Sequence, residues 1–148
     1  MNKILVLVRG LPGSGKSTFC NLIADARTAA DDFPGLYDGG FHPELLPQAH
    51  RFCQRTTRGH LVLTAPNRRI IAVDNTFSQR WEMEPYLQMT KELGVRVNVV
   101  DLYDGGLDDA ALVARNTHGV PLGGIQAMRA RWEHDWKVGN PLPPPWLR

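Results

Sequence analysis

A chain of 148 residues, 43% hydrophobic and 22% charged, has room for one core and too much apolar content for disorder. Seventeen Lys plus Arg against fifteen Asp plus Glu leave a formal charge of +2, too even a balance to argue by itself for nucleic acid or membrane. Two cysteines exclude a disulfide framework, no apolar run approaches the roughly 20 residues of a membrane span, and no signal-peptide pattern opens the chain, so a cytoplasmic protein with reduced thiols is expected.

In chain order, residues 3–8 form a short apolar run, the pattern of a strand covered on both faces of a parallel sheet. A glycine-rich turn follows, and residues 16–27 read as a helix with Phe19, Leu22, Ile23 and Ala26 on one face. Residues 28–30 are a very short strand ending at Asp31-Asp32, expected to run beside the first strand. Segment 33–43 holds Gly35, Gly39, Gly40 and two prolines and reads as a functional loop. Residues 44–64 predict one long helix, with Pro47 in its first turn and Pro66 closing it. A turn at Asn67-Arg68 leads to a second buried strand, residues 70–74, that closes on Asp74. Ser78 is a fitting N-cap for a helix to Leu93, with Gly94 in the left-handed position beyond it. Residues 95–102 are a third clear strand. Two helices, 108–116 and 121–136, close a single domain over residues 1–139, and the Pro-rich stretch 140–148 reads as an extended tail. Strands alternating with helices give an α/β three-layer fold, a mainly parallel sheet flanked by helices.

Gly10-Leu11-Pro12-Gly13-Ser14-Gly15-Lys16-Ser17 fits G-x-x-x-x-G-K-[ST] where that motif must sit, after a buried strand and opening a helix. Its glycines let backbone N–H groups close on phosphate oxygens, and the helix N-terminus adds a partial positive charge. Lys16 would bridge the outer phosphates, the Ser17 hydroxyl would hold Mg²⁺, and Thr18 completes the cradle. Asp74, at the tip of an apolar strand, has the form of a second magnesium-side carboxylate, the alternative being that it orients a neighbour or caps the following turn. ATP with Mg²⁺ is the expected ligand pair. The chain is too short for a motor, and it lacks the N-K-x-D base-reading motif of a GTPase.

The phosphate loop with Thr18, Asp31-Asp32-Phe33 and Val73-Asp74-Asn75-Thr76 recur in one order with two further stretches, Arg80-Trp81-Glu82-Met83-Glu84-Pro85-Tyr86 and Ala114-Arg115-Asn116-Thr117-His118-Gly119-Val120-Pro121. In that combination, over residues 3–136, the chain resembles the polynucleotide-kinase-like P-loop kinases, which include the kinase module of bacteriophage polynucleotide kinase and its stand-alone relatives. The resemblance implies a P-loop fold with a short helical lid, and ATP- and Mg²⁺-dependent phosphorylation of the 5′-hydroxyl of RNA or DNA in nucleic-acid repair. It implies that Asp31 is the general base for the acceptor hydroxyl, with Asp32 in reserve, and that Arg115 in the lid lies over the ATP phosphates. Asn75 and Thr76 would face the acceptor. Two departures stand out: the phage enzyme has an arginine just beyond its Asp-Asp-aromatic trio where this chain has Pro34, and its lid carries a second basic residue where this shorter stretch offers His118.

Arg51, Arg55 and Arg58 recur at helical spacing on the long predicted helix, as a phosphate-tracking surface for the acceptor strand or as an ordinary solvated face. His42, His50, His60, His118 and His134 show no zinc-like pairing with cysteines. Trp81, Trp132 and Trp136 are expected in the core, and Trp146 packed against the domain. Two other functions stay open: a small-molecule kinase acting on a nucleoside, sugar or antibiotic hydroxyl, and a nucleotide-binding regulatory or toxin-like module with negligible turnover. Any phosphatase or ligase partner is expected as a separate chain.

Overall fold

The computed structural model describes residues 2–134; the expected tail, Trp136 and Trp146 lie outside the described residues. The elements are β1 (Ile4–Gly10), α1 (Lys16–Ile23), β2 (Ala26–Thr28), α2 (Leu46–Val62), β3 (Ile70–Asp74), α3 (Glu84–Leu93), β4 (Arg96–Tyr103), α4 (Asp109–Arg115) and α5 (Leu122–Ala130). The four strands are all parallel, in the order β2-β3-β1-β4.

The run in β1 is apolar throughout because both faces of the sheet are covered. Leu5 and Leu7 join Ile71 and Val73 in a core with Ala49, Cys53, Tyr86 and Met89 of α2 and α3. Val6, Val8 and Ala72 point the other way, onto Cys20 of α1. A third cluster, Leu11, Tyr103, Leu112, Ile125 and Trp132, sits under the two closing helices. Register aligns Val8 with Asp74, so the strand that feeds the phosphate loop ends beside the carboxylate of β3.

Several expectations are corrected. The second strand is Ala26–Thr28 rather than residues 28–30, and it pairs with β3, not with β1. Asp25 explains the shift: its carboxylate accepts the N–H groups of Arg69 and Ile70, both at 2.8 Å, and its own N–H donates to Ile70 O at 2.8 Å. That clasp fixes where β2 starts, so α1 stops at Ile23 instead of Arg27. Leu22 is 80% exposed, leaving Phe19 and Ile23 to pack beside Cys20. Asp31 and Asp32 lie on a single 3-10 turn, Ala30–Asp32.

Ser78 caps no helix. It is buried, its hydroxyl donates to Glu82, and a 3-10 turn, Arg80–Glu82, closed by a Gln79–Glu82 capping box, intervenes before α3. Trp81 rides on that turn with 66% of its surface exposed, outside the core. Gly94 ends α3 with φ 65°, as its position predicts. The last helix stops at Ala130 because the next residues are taken by Arg9. Arg9 is fully buried in β1; it donates to Phe77 O, Glu133 O and Asp101, and lies 4.3 Å over the Trp132 ring. Among the described residues no helix is long and apolar enough to cross a membrane.

Candidate active site

The strand β1 turns at Gly10 into a loop whose path requires glycine. Gly13 and Gly15 have φ of 86° and 101°. A Cβ on Gly10 would meet Ser14 Oγ at 2.4 Å, and one on Gly13 would meet the Leu112 carbonyl of α4 at 2.7 Å. From the other side Gly105, with φ 64°, approaches so closely that its Cβ would meet Ser14 O at 2.8 Å. The loop is tied to its surroundings by Gly10 N donating to Thr76 O at 3.2 Å and Leu11 N to Tyr103 O at 2.8 Å. Lys16 Nζ donates back to Leu11 O at 3.1 Å. Burial holds its ammonium below the usual lysine range, against the pull of Asp74 and Asp31.

On the metal side, Ser17 Oγ donates to Asp74 Oδ2 at 2.7 Å, and Arg27 Nε donates to the same oxygen at 2.9 Å. Asp74 is 5% exposed. Among the described residues no three His, Cys, Asp or Glu side chains gather to hold a metal by themselves. One hydroxyl and one carboxylate, with no imidazole or thiolate, form the oxygen donor set suited to Mg²⁺ shared with phosphates. Ser14 Oγ is buried inside the loop, facing Gly10, with no hydrogen-bond partner.

On the opposite wall, Asp31 Oδ1 accepts the Tyr37 hydroxyl at 2.7 Å, and Asp31 Oδ2 lies 3.4 Å from His118 Nε2. The Tyr37 and His118 rings stack at 4.3 Å and 15°. Burial, then the neighbouring carboxylate, pushes the Tyr37 hydroxyl up, so it stays a donor. Asp32 turns away, 3.0 Å from Arg27 Nη1 and 53% exposed.

A cleft of about 630 Å³ joins these walls; it is lined by Pro12, Gly13, Gly15, Lys16, Ser17, Thr18, Asp31, Asp74, Asn75, Thr76 and Arg115 among the residues expected at the site. Ser14, Asp32, Arg51 and Arg55 do not line it. Asn75 borders the cleft but its amide is engaged inward, accepting Ala30 N at 2.9 Å and reaching Cys53 Sγ, so it fixes the turn that carries Asp31. Thr76 contributes its carbonyl to the phosphate loop. Arg51 and Arg55 are exposed on α2, and Arg58 on the same stripe pairs with Glu92 of α3 at 3.0 Å. Sequence reasoning missed Arg27, Tyr37 and Phe41, which line the cleft. The signal for the two aromatics was their place in the Gly- and Pro-rich loop; Arg27 offered none.

A family model described as an AAA domain matches residues 5–133, so the chain belongs to that family. The chain is 32% identical over 146 residues to NEDD4-binding protein 2 of Homo sapiens, covering 88% of this chain and 8% of that protein. It therefore spans under a tenth of that relative's length. Among solved structures it is similar to a cysteine-to-alanine variant of the Mycobacterium tuberculosis APS kinase CysC, at 18% identity and TM-score 0.51 over 69% of this chain and 76% of that one. It is also similar to a chain of the native AvrRxo1-ORF1:-ORF2 complex, at 18% identity and TM-score 0.60 over 86% of this chain and 46% of that one. At these identities the likeness is one of fold: a phosphate loop on a mainly parallel sheet flanked by helices.

Proposed function

Starting from that domain type, we propose that this chain transfers the γ-phosphoryl group of ATP, in the presence of Mg²⁺, to the 5′-hydroxyl of RNA or DNA. What carries the reading is the meeting of two carboxylates, Asp74 and Asp31, with Lys16 in one cleft. Asp74 is engaged by Ser17 and Arg27, Asp31 by Tyr37 and His118.

Lys16 and the N–H groups of the loop hold the phosphates. Ser17 and Asp74 hold Mg²⁺, which when bound neutralises charge on the outer phosphate oxygens. Asp31 takes the proton of the acceptor hydroxyl as its oxygen attacks phosphorus. Tyr37 fixes the orientation of Asp31 by occupying Oδ1, and the acceptor hydroxyl displaces His118 from Oδ2. Arg115, exposed on the lip of the cleft, balances charge spreading over the transferred group. The set of motifs shared with polynucleotide kinases supports a nucleic-acid acceptor. A small-molecule hydroxyl is the second reading, favoured by Pro34 and by Arg51 and Arg55 lying outside the cleft lining. The buried, unpaired thiols of Cys20 and Cys53 support a reducing, cytoplasmic setting.

The test is transfer of labelled phosphate from ATP to a 5′-hydroxyl oligonucleotide beside a panel of nucleosides, sugars and antibiotics. Asp31→Asn should lower single-turnover transfer about 10²- to 10⁴-fold and leave ATP affinity nearly unchanged. Lys16→Ala should lose ATP binding itself. Transfer confined to a small molecule would overturn the acceptor, and ATP binding without transfer to anything would overturn the enzyme.

A further inference from the structure

Phe41 keeps 49% of its surface exposed at the rim of the cleft. A single exposed apolar side chain is ordinary, but this one is held in place by a loop shaped for it. Gly39 and Gly40 have φ of 71° and 138°, and a Cβ on either would meet nothing within 4 Å, so these glycines serve the path of the backbone and not its packing. The path is fixed on both sides. Gly40 N donates to Tyr37 O at 3.3 Å, His42 N donates to Leu36 O at 2.9 Å, and Leu36 is fully buried. The Phe41 ring stands 5.5 Å from Tyr37, tilted by 36°, and Tyr37 is stacked on His118 while its hydroxyl reaches Asp31. An aromatic surface thus begins at the carboxylate that would activate the acceptor and extends outward to an open ring.

We propose that this surface is a subsite for a planar heterocycle, the nucleobase of the nucleotide whose 5′-hydroxyl meets Asp31, stacked against Phe41. The proposal rests on the acceptor reading above and narrows it. A nucleotide carries its base one ribose away from its 5′-oxygen, and Tyr37 likewise reaches from Asp31, 2.7 Å from its hydroxyl, to Phe41, 5.5 Å from its ring. Stacking needs only a π-face, so the subsite accepts any base. It also supplies a grip on the acceptor in the same loop where Pro34 offers no charge to a phosphate.

The experiment compares an oligonucleotide bearing an ordinary 5′-terminal nucleotide with one whose 5′-terminal residue is abasic and keeps its hydroxyl. Both are tested with the wild-type chain, Phe41→Ala and Phe41→Trp. Loss of one base stack corresponds to roughly 5- to 150-fold in affinity. The abasic end should therefore raise the acceptor KM of the wild type by about tenfold or more. Phe41→Ala should raise the KM of the ordinary oligonucleotide by a similar factor and add nothing for the abasic one. Phe41→Trp should keep the low KM, and its indole fluorescence should be quenched by the ordinary end and not by the abasic one. Equal KM values for the two oligonucleotides, additive effects, or a rise in the ATP KM of Phe41→Ala would overturn the subsite while leaving phosphorylation of oligonucleotides standing. Failure of the wild type to phosphorylate any oligonucleotide would overturn the acceptor reading and the subsite with it.

Discussion

Arg27 Nε lies 2.9 Å from Asp74 Oδ2, the oxygen that also accepts the Ser17 hydroxyl at 2.7 Å. A carboxylate only 5% exposed needs a compensating charge, and the guanidinium supplies it. A metal that binds Ser17 and Asp74 therefore competes with Arg27 for one oxygen. Arg27→Gln should let Mn²⁺ bind in the absence of nucleotide at about tenfold lower concentration, as like-charge opposition is removed. The variant should also melt at lower temperature in chelator and recover when metal is added. Spin-resonance titration with Mn²⁺ and thermal melts check both; unchanged metal affinity would separate Arg27 from the metal site.

Tyr37→Phe keeps the ring against His118 and removes the hydrogen bond to Asp31. A bond to a charged group is worth about 1.5–3 kcal/mol, so single-turnover transfer should fall roughly 10- to 100-fold. The KM for ATP should stay within about twofold, since Tyr37 stands on the acceptor wall. His118→Ala, which removes the stack, should add to that loss less than its own single effect because both residues act on one carboxylate.

The stripe of Arg51, Arg55 and Arg58 has no access to the cleft lining, and Arg58 is paired with Glu92. Replacing all three by Ala should leave the acceptor KM and its salt slope within about twofold of wild type. A clear flattening of the salt dependence would show that an acceptor strand runs along α2 after leaving the cleft.

Asp25 offers a test by pH. The N–H groups of Ile70 and Arg69 favour its charged form and hold its pKa below the ordinary carboxylate range. A folded-state pKa below the unfolded value of about 3.9 means the contribution is present above that value and is lost as pH falls through the folded-state pKa. Asp25→Ala should therefore melt below wild type near pH 7, and the gap should close on acidification toward about pH 3. Parallel melting curves at both ends would detach Asp25 from the start of β2.

Residues whose role is local were legible in the sequence. Lys16 and Ser17 follow from loop spacing, Asp74 from the apolar run before it, and Gly94 from the helix it ends. What the chain hides is set by contacts across it. β2 has three residues, too few for a period to show, and its place is decided by Asp25 gripping residues 69 and 70. Trp81 and Trp132 are both expected in the core, yet one rides on a 3-10 turn and the other lies under Arg9. Tyr37 and Phe41 owe their positions to the left-handed glycines beside them, and no pattern in the letters says where such a loop points.

The two close approaches to the phosphate loop have a mechanical consequence. With the Leu112 carbonyl on one flank and Gly105 on the other, the loop is closed in by backbone that leaves no room for a side chain at Gly13 or Gly105. Any side chain at Gly13 or Gly105 would push the phosphate loop off its path.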